Sequence, residues 1–219
     1  MNGFEIGQLI IPFGVILFSL VIHESAHAWS AAFLGDSTAQ RLGRISLNPS
    51  RHIDPIGTVL LPIVAIWSGA PIIGWAKPVP VNPSNLKHPR RDFLYIAAAG
   101  PMSNLVLAVF AAIILSFYPA GSHGPDTYLT LNSSQATIFL LANATFNINV
   151  LLAVFNMLPI PPLDGGNVLA GLLPETAARV FDSLIRPWGF VLLYLLLLTG
   201  VLGNIIMPVY GFFGELLLR

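Results

Sequence analysis

The sequence predicts an all-α polytopic membrane protein of about five to six transmembrane helices, with a short re-entrant or β-like segment between the first helix and the next full span. Its 219 residues are 55% apolar and only 9% charged, and mean hydropathy is +0.76. Soluble globular domains carry about 25% charged residues. Several apolar segments also reach the roughly 20 residues that a helix needs to cross the hydrocarbon core.

Apolar segments follow one another along the whole chain. The first (about 6–34) and three later ones (about 93–118, 136–158 and 187–203) are long enough to span a bilayer. The second in chain order, about 55–67, is too short and is interpreted as re-entrant or interfacial. An apolar tail to Leu218 is interrupted by Gly203 and Pro208, so the pattern leaves open whether the C-terminal end forms one span or two.

The charge pattern predicts a location and an orientation. Ten basic and ten acidic residues cancel, which gives no field that favours nucleic acid. Lysine and arginine concentrate in residues 35–92 and 165–186 and are absent from 119–135. The positive-inside rule therefore puts the first two regions in the cytoplasm. The N-terminus has no basic n-region, so the first segment is expected to remain as an anchor. We expect a multi-pass protein of the cell (inner or plasma) membrane.

The first segment contains the motif His23-Glu24-Ser25-Ala26-His27. Positions i and i+4 share one face of a helix, so both imidazoles can reach one metal ion. Glu24 can then lie beside a metal-activated water and act as general base. Because the chain has no cysteine, only His, Asp or Glu can hold the metal, and Zn²⁺ suits such ligands.

The depth of this motif indicates function, although a structural alternative remains. His23 lies roughly 22 Å into a core of about 30 Å if the helix enters near Gln8, which puts it close to the cytoplasmic end. Ionisable residues at such depth are costly and mark functional sites. The alternative is a polar cluster in which other helices satisfy the histidines.

A third ligand is predicted where the fourth segment ends. Asp164 follows a proline-rich stretch and precedes two glycines, and it reaches the same membrane side as His23 and His27. Its alternative role is a helix N-cap. Asn156 is expected to donate a hydrogen bond to the developing oxyanion. Its alternative is an interhelical hydrogen bond.

These motifs give the chain a resemblance to the site-2 protease family of intramembrane metalloproteases. The matching elements are the His23–His27 motif and the run from Asn156 through Pro159 to Leu163-Asp164-Gly165. Two further stretches resemble a small prokaryotic branch that has no added peptide-binding or nucleotide-sensing domain, namely 43–57, and 74–83 followed by 99–104. The resemblance implies one Zn²⁺ per chain held by His23, His27 and Asp164, with Glu24 as catalytic base.

The resemblance also implies the organisation and the partners. We expect a single transmembrane peptidase domain over 1–219, with a catalytic core of about 6–166 and C-terminal helices of about 167–219. The implied partners are a transmembrane protein substrate and the lipid bilayer, and homo-oligomerisation is left open. An extended edge near 42–48 or 74–82 is expected to pair with the unwound substrate, and a packed re-entrant loop is its alternative.

The predicted function is therefore an intramembrane zinc endopeptidase that hydrolyses peptide bonds near the cytoplasmic side. Two other classes remain as alternatives. A membrane metal-ion transporter would also use buried histidine and aspartate, but transport gives no reason for Glu24 between the histidines, and no repeated halves are visible. A non-catalytic metal-binding membrane protein is disfavoured because all the groups that the chemistry needs are present.

Overall fold

The computed structural model describes residues 3–68, 74–118 and 133–218, and within these ranges the chain forms helices and no β-strand. Nine α-helices are numbered here in chain order: α1 Gly3–Phe33, α2 Thr38–Arg41, α3 Leu61–Ser68, α4 Pro89–Leu115, α5 Ser133–Asn156, α6 Asp164–Leu172, α7 Glu175–Val180, α8 Gly189–Leu198 and α9 Val201–Leu217. Single π-helical and 3₁₀ turns join α7 to α8.

Four helical segments are long and apolar enough to cross a membrane, namely Ile10–Phe33, Pro89–Leu115, Ser134–Asn156 and Glu175–Leu198. The prediction of an all-α polytopic membrane protein is confirmed. Two shorter apolar helices, Pro55–Ala65 and Val201–Leu217, accompany the four spans. The predicted count of five to six is reached only when these shorter helices are included.

The core of the bundle is formed by α1, α4 and α5, which pack against one another. On α4 the contact face is built from Ala108, Ala111 and Ala112, which lie in one buried cluster with Phe139 and Phe146 of α5. Small side chains let helices approach closely in a bilayer, where lipid offers no hydrophobic driving force for helix association. The helix α6 then packs on α4, and α9 packs on α5.

The C-terminal helices differ from the sequence-based prediction in where they break. The break falls at Gly200, which has φ +73, a left-handed conformation that glycine adopts without steric penalty. Gly203 and Pro208 instead lie inside α9. Proline removes only one backbone hydrogen bond, and at Pro208 the helix continues through that loss.

The short apolar segment after α2 is confirmed as too short to span. It begins as a π-helical turn, Pro55–Leu60, and continues as α3, giving a length of about 21 Å at about 1.5 Å per residue. Asp54 caps its start, since Oδ1 accepts from the backbone N–H groups of Ile56 and Gly57 at 3.0 and 2.8 Å. Trp67 near its end is 88% exposed.

Residues 74–82, here called the strap, form no helix and, within the described ranges, pair with no strand. Arg44 holds the middle of the strap, because its guanidinium donates to the carbonyl oxygens of Lys77 and Pro78. The backbone N–H of Lys77 donates to the carbonyl of His52 at 2.8 Å. Pairing of this segment with a substrate strand stays a prediction.

The far end of the strap is held by the buried carboxylate of Asp36. Its Oδ2 accepts from the backbone N–H of Asn82 at 2.6 Å, and its Oδ1 accepts from the side chain of Asn85 at 2.7 Å. Burial alone would raise the pKa of Asp36, but these bonds and those from Thr38 hold it at about 2. The ionised carboxylate is therefore the form that stabilises the strap.

We expect Asp36→Ala to lower the free energy of unfolding by about 2–3 kcal/mol at pH 7, because it leaves the N–H of Asn82 and the amide of Asn85 without their charged acceptor. This stabilisation is fully present above the ordinary aspartate pKa and is lost as pH falls from about 4 to about 2. Denaturant titration of the purified protein in detergent measures it. The exposed Asp182→Ala is the control, and equal stability of both variants would contradict the role of Asp36.

Candidate active site

The two histidines of the motif meet on the inward face of α1. Ser19, His23 and His27 recur every four residues and so share one face of the helix. The Nε2 atoms of His23 and His27 are 3.1 Å apart, and the rings lie edge to face at an interplanar angle of 85°. Both residues are buried, with 5% and 8% of their surface exposed.

Asp164 reaches this pair from the start of α6. Its Oδ2 lies 3.1 Å from Nε2 of His23 and 3.3 Å from Nε2 of His27. Asp164 is the first residue of α6, and Leu163 occupies the N-cap position. The alternative role of Asp164 as an N-cap is therefore not what the structure describes. Over the described residues, His23, His27 and Asp164 are the group that could hold a metal ion.

The chemistry of these three atoms fits a cation. Nδ1 of His23 lies 2.6 Å from Oδ1 of Asn104, and Nδ1 of His27 lies 2.7 Å from the carbonyl oxygen of Ile96. A carbonyl can only accept, so Nδ1 is protonated in each ring, and Nε2 carries a lone pair when the imidazole is neutral. Within the described part of the chain, buried Oδ2 of Asp164 receives no hydrogen bond.

With neutral imidazoles, the two Nε2 atoms and Oδ2 of Asp164 are three acceptors that face one another, an arrangement that suits a bound cation. In a tetrahedral zinc site with bonds of about 2.0–2.1 Å, neighbouring ligand atoms are about 3.3–3.4 Å apart. The observed separations of 3.1–3.3 Å are close to that spacing. The ligand types are those that Zn²⁺ prefers when no thiolate is present.

Gly100 of α4 packs directly against the histidine pair. A Cβ atom at this position would lie 2.6 Å from Nε2 of His23 and still closer to Nε2 of His27. Real Cβ atoms do not approach other atoms so closely. The missing side chain thus leaves the space next to both Nε2 atoms free, which any bound ion and its fourth ligand require.

Glu24 lines a cavity of about 660 Å³ together with both histidines and Asp164. The neighbouring Ser25 donates from Oγ to the carbonyl of Ser46 at 2.9 Å, which fixes the loop after α2 against the motif. Arg44 of that loop is close enough to attract the carboxylate electrostatically. Burial lowers the pKa of Arg44, and the charge of Glu24 opposes that shift.

Asn156 lines the same cavity. Its Nδ2 donates to the carbonyl of Leu152 at 2.9 Å within α5, so this hydrogen bond is intrahelical rather than interhelical. An asparagine amide has two N–H bonds, and one remains for a ligand in the cavity. Its role at an oxyanion stays a prediction.

Sequence reasoning missed two polar residues behind the site, Asn149 and Ser19. They extend the contact of His23 with Asn104 into α5 and back to α1. One signal was available: polar residues inside apolar helices mark functional positions. Asn149 also precedes Asn156 by two helical turns on the same face, and Ser19 precedes His23 by one turn.

Membrane-spanning helices that bring two histidines and an aspartate to metal-binding distance, beside a glutamate in a cavity, define a membrane metalloprotease. Comparison with known proteins agrees. The model of peptidase family M50 matches residues 123–199. “Putative zinc metalloprotease YwhC” of Bacillus subtilis is 33% identical over 201 residues, covering 91% of this chain and 86% of the relative.

Two further relatives carry related names. “Putative zinc metalloprotease Rip2” of Mycolicibacterium smegmatis is 30% identical over 212 residues, which cover 95% of this chain and 74% of the relative. Zinc metalloprotease MJ0392 of Methanocaldococcus jannaschii is 26% identical over 129 residues, covering 58% of this chain and 34% of its own. No solved structure is significantly similar to the chain.

The chain therefore belongs to peptidase family M50, the site-2 proteases. The predictions of a zinc-dependent metalloprotease and of a Zn²⁺ cofactor are confirmed. The number of zinc ions per chain and the individual roles of His23, His27, Asp164, Glu24 and Asn156 stay predictions.

We expect Gly100→Ala to weaken zinc binding by on the order of tenfold or more, since metal sites respond to small displacements of their ligands. The added methyl group would occupy the space beside both Nε2 atoms. Zinc affinity of the purified protein is measured by competition with a chromogenic chelator. Gly14→Ala is the matched control, because a Cβ at Gly14 meets no atom within 4 Å. Unchanged affinity in Gly100→Ala would contradict the described packing.

Proposed function

We propose that this protein is an intramembrane endopeptidase that hydrolyses peptide bonds of membrane-spanning substrates near the cytoplasmic side of the bilayer. His23, His27 and Asp164 are the proposed ligands of one zinc ion, and Glu24 is the proposed general base. The observation that carries this proposal is the convergence of two histidines of a spanning helix with Asp164 of α6, beside a cavity that Glu24 lines.

The position of the motif supports cleavage within the membrane. The first candidate span starts at Ile10, so His23 lies about 20 Å along the helix, within a core of about 30 Å. The basic residues that follow α1 and precede α4 favour a cytoplasmic location for that end of the helix. The cavity would then open toward the cytoplasmic leaflet.

The proposed chemistry assigns a proton to Glu24. A zinc ion held by the three ligands supplies Lewis-acid polarisation of the scissile carbonyl and makes water more acidic. The carboxylate of Glu24 takes one proton from the attacking water and later delivers it to the nitrogen of the leaving amine. The remaining amide N–H of Asn156 donates to the oxygen on which negative charge develops.

The lining of the cavity supports an apolar, unwound substrate. Leu152, Phe155, Phe190 and Leu193 contribute apolar walls, and the strap contributes Val79. Carbonyl groups in a helix are already hydrogen-bonded and shielded, so a spanning substrate must unwind before hydrolysis. We propose that the strap offers its backbone to the unwound segment, in the manner of an added strand.

We expect Glu24→Gln to retain zinc and to lower cleavage by about 10²–10⁴-fold, the usual contribution of a general base. The amide has the size of the carboxylate but cannot accept the proton. The assay uses a fluorogenic peptide with about 20 apolar residues, reconstituted with the enzyme into liposomes. Glu175→Gln is the control, because the side chain of Glu175 is 77% exposed. Cleavage that persists in Glu24→Gln at the wild-type rate would sink the proposed mechanism.

Removal of the third ligand should lower zinc occupancy and cleavage together. Asp164→Ala leaves two protein ligands, whereas catalytic zinc sites hold their ion with three. Elemental analysis of the purified variant gives the zinc content per chain. The control Asp182→Ala removes a half-exposed carboxylate that pairs with Arg186. This variant should keep the wild-type zinc content. A full zinc equivalent in Asp164→Ala would remove Asp164 from the ligand set.

A further inference from the structure

Behind His23, a line of buried side chains runs through three helices. Nδ2 of Asn104 on α4 donates to Oδ1 of Asn149 on α5 at 2.8 Å. Nδ2 of Asn149 donates to Oγ of Ser19 on α1 at 2.9 Å. Asn104, Asn149 and Ser19 have no exposed surface. Together with the bond between His23 and Asn104, these contacts form a hydrogen-bonded circuit. It begins at His23 on α1, passes through α4 and α5, and ends at Ser19, one turn earlier on α1.

The direction of hydrogen bonding in this circuit is set at its far end. Nδ2 of Asn149 also donates to the backbone carbonyl of Thr145 at 2.8 Å. A backbone carbonyl can only accept, so the amide of Asn149 must present its nitrogen there and its oxygen to Asn104. Asn104 must then present its nitrogen to Asn149 and its oxygen to His23.

That order reaches the metal site through His23. An acceptor oxygen at Nδ1 keeps a proton there, so the neutral imidazole has its lone pair on Nε2. His27 obtains the same form from one backbone carbonyl, that of Ile96, and needs no side chain for it. The two proposed ligands thus differ in kind: His27 is fixed by main chain, and His23 by side chains that can be substituted.

We propose that Asn104 and Asn149, ending on Ser19, are positioning residues that hold His23 in its metal-binding tautomer and orientation and thereby set the zinc affinity of the site. This proposal rests on the proposed role of His23 as a zinc ligand. The proposal makes α5 part of the metal centre. The same helix ends at Asn156, and the chain then continues to Asp164. The ion bound at this site is a divalent cation that imidazole nitrogen coordinates.

A purely structural role for the amides is the competing explanation, because interhelical amide bonds also hold membrane helices together. The two explanations differ in what a carboxylate at position 104 does. Asn104→Asp keeps an acceptor for Nδ1–H of His23 but cannot donate to Asn149. A positioning role therefore survives this change at the metal, whereas a role confined to joining α4 with α5 does not.

The experiment measures Zn²⁺ affinity by chelator competition, and the visible absorption bands of the Co²⁺-loaded protein, for purified variants in detergent. We expect Asn104→Leu to weaken zinc binding by about 10–100-fold, as loss of a partner behind a metal ligand usually does. Asn149→Leu should weaken it less, by about three- to tenfold, and should shift the Co²⁺ bands. In the Asn104→Leu background, Asn149→Leu should add nothing further, since it acts through Asn104.

Two controls make the result decisive. Asn147→Leu removes an amide from the same helix that accepts from Tyr210 instead of joining the circuit, and it should leave zinc affinity within about twofold of wild type, as expected for a site with no shared partner. Asn104→Asp should weaken zinc binding no more than Asn149→Leu does, because it also loses the bond to Asn149 but keeps a carboxylate, a normal partner of a ligating histidine, at Nδ1 of His23. If Asn149→Leu fails to fold, Asn149→Ser replaces it.

The outcomes separate this proposal from the proposed function. If His23→Ala does not weaken zinc binding, the ligand assignment itself is wrong. If His23→Ala weakens it but Asn104→Leu and Asn149→Leu do not, the ligands stand and the positioning role is overturned. The positioning role is also overturned if Asn104→Asp loses zinc as severely as Asn104→Leu, or if Asn147→Leu matches Asn149→Leu.

Discussion

Two imidazole nitrogens of α1 and one carboxylate oxygen of α6 meet within 3.3 Å of one another, and this close contact is the constraint on which the rest of the structure depends. Neutral imidazoles and a carboxylate at this spacing are buried acceptors without a donor, which is costly, and a bound cation would remove that cost. Each neighbouring element serves the contact. α4 comes close through Gly100, and the turn before α6 delivers Asp164.

The polar loops outside the bundle follow the same logic of satisfied buried groups. Asp36 and Arg44 are both buried. Arg44 donates to two carbonyl groups of the strap, and Asp36 accepts from the backbone N–H of Asn82 at its end. A segment with several prolines cannot join a sheet interior, so side chains replace the missing ladder. The strap thereby lies along the cavity without regular secondary structure of its own.

The sequence alone predicted the parts of the site that lie within one helix or next to the end of a helix. The spacing of His23 and His27 follows from helical geometry alone, and Asp164 stood out as an acidic residue next to a helix end. Asn149 and Ser19 could not be assigned, because their partners are set by how α1, α4 and α5 rotate against one another. The break at Gly200 was missed for a different reason: Gly200, Gly203 and Pro208 offer similar local signals, and only packing on α5 selects among them.

The helix α1 presents two unlike environments along its length. Ser19, His23 and His27 point into the bundle at every fourth position, while Phe18, Trp29 and Phe33 are at least half exposed on sides that lipid would cover. Exchange of one bulky apolar side chain for another on the lipid side changes stability little, because lipid chains are equally apolar. The inner side accepts almost no replacement. Tolerance to random substitution along α1 should therefore vary with the helical period of about 3.6 residues.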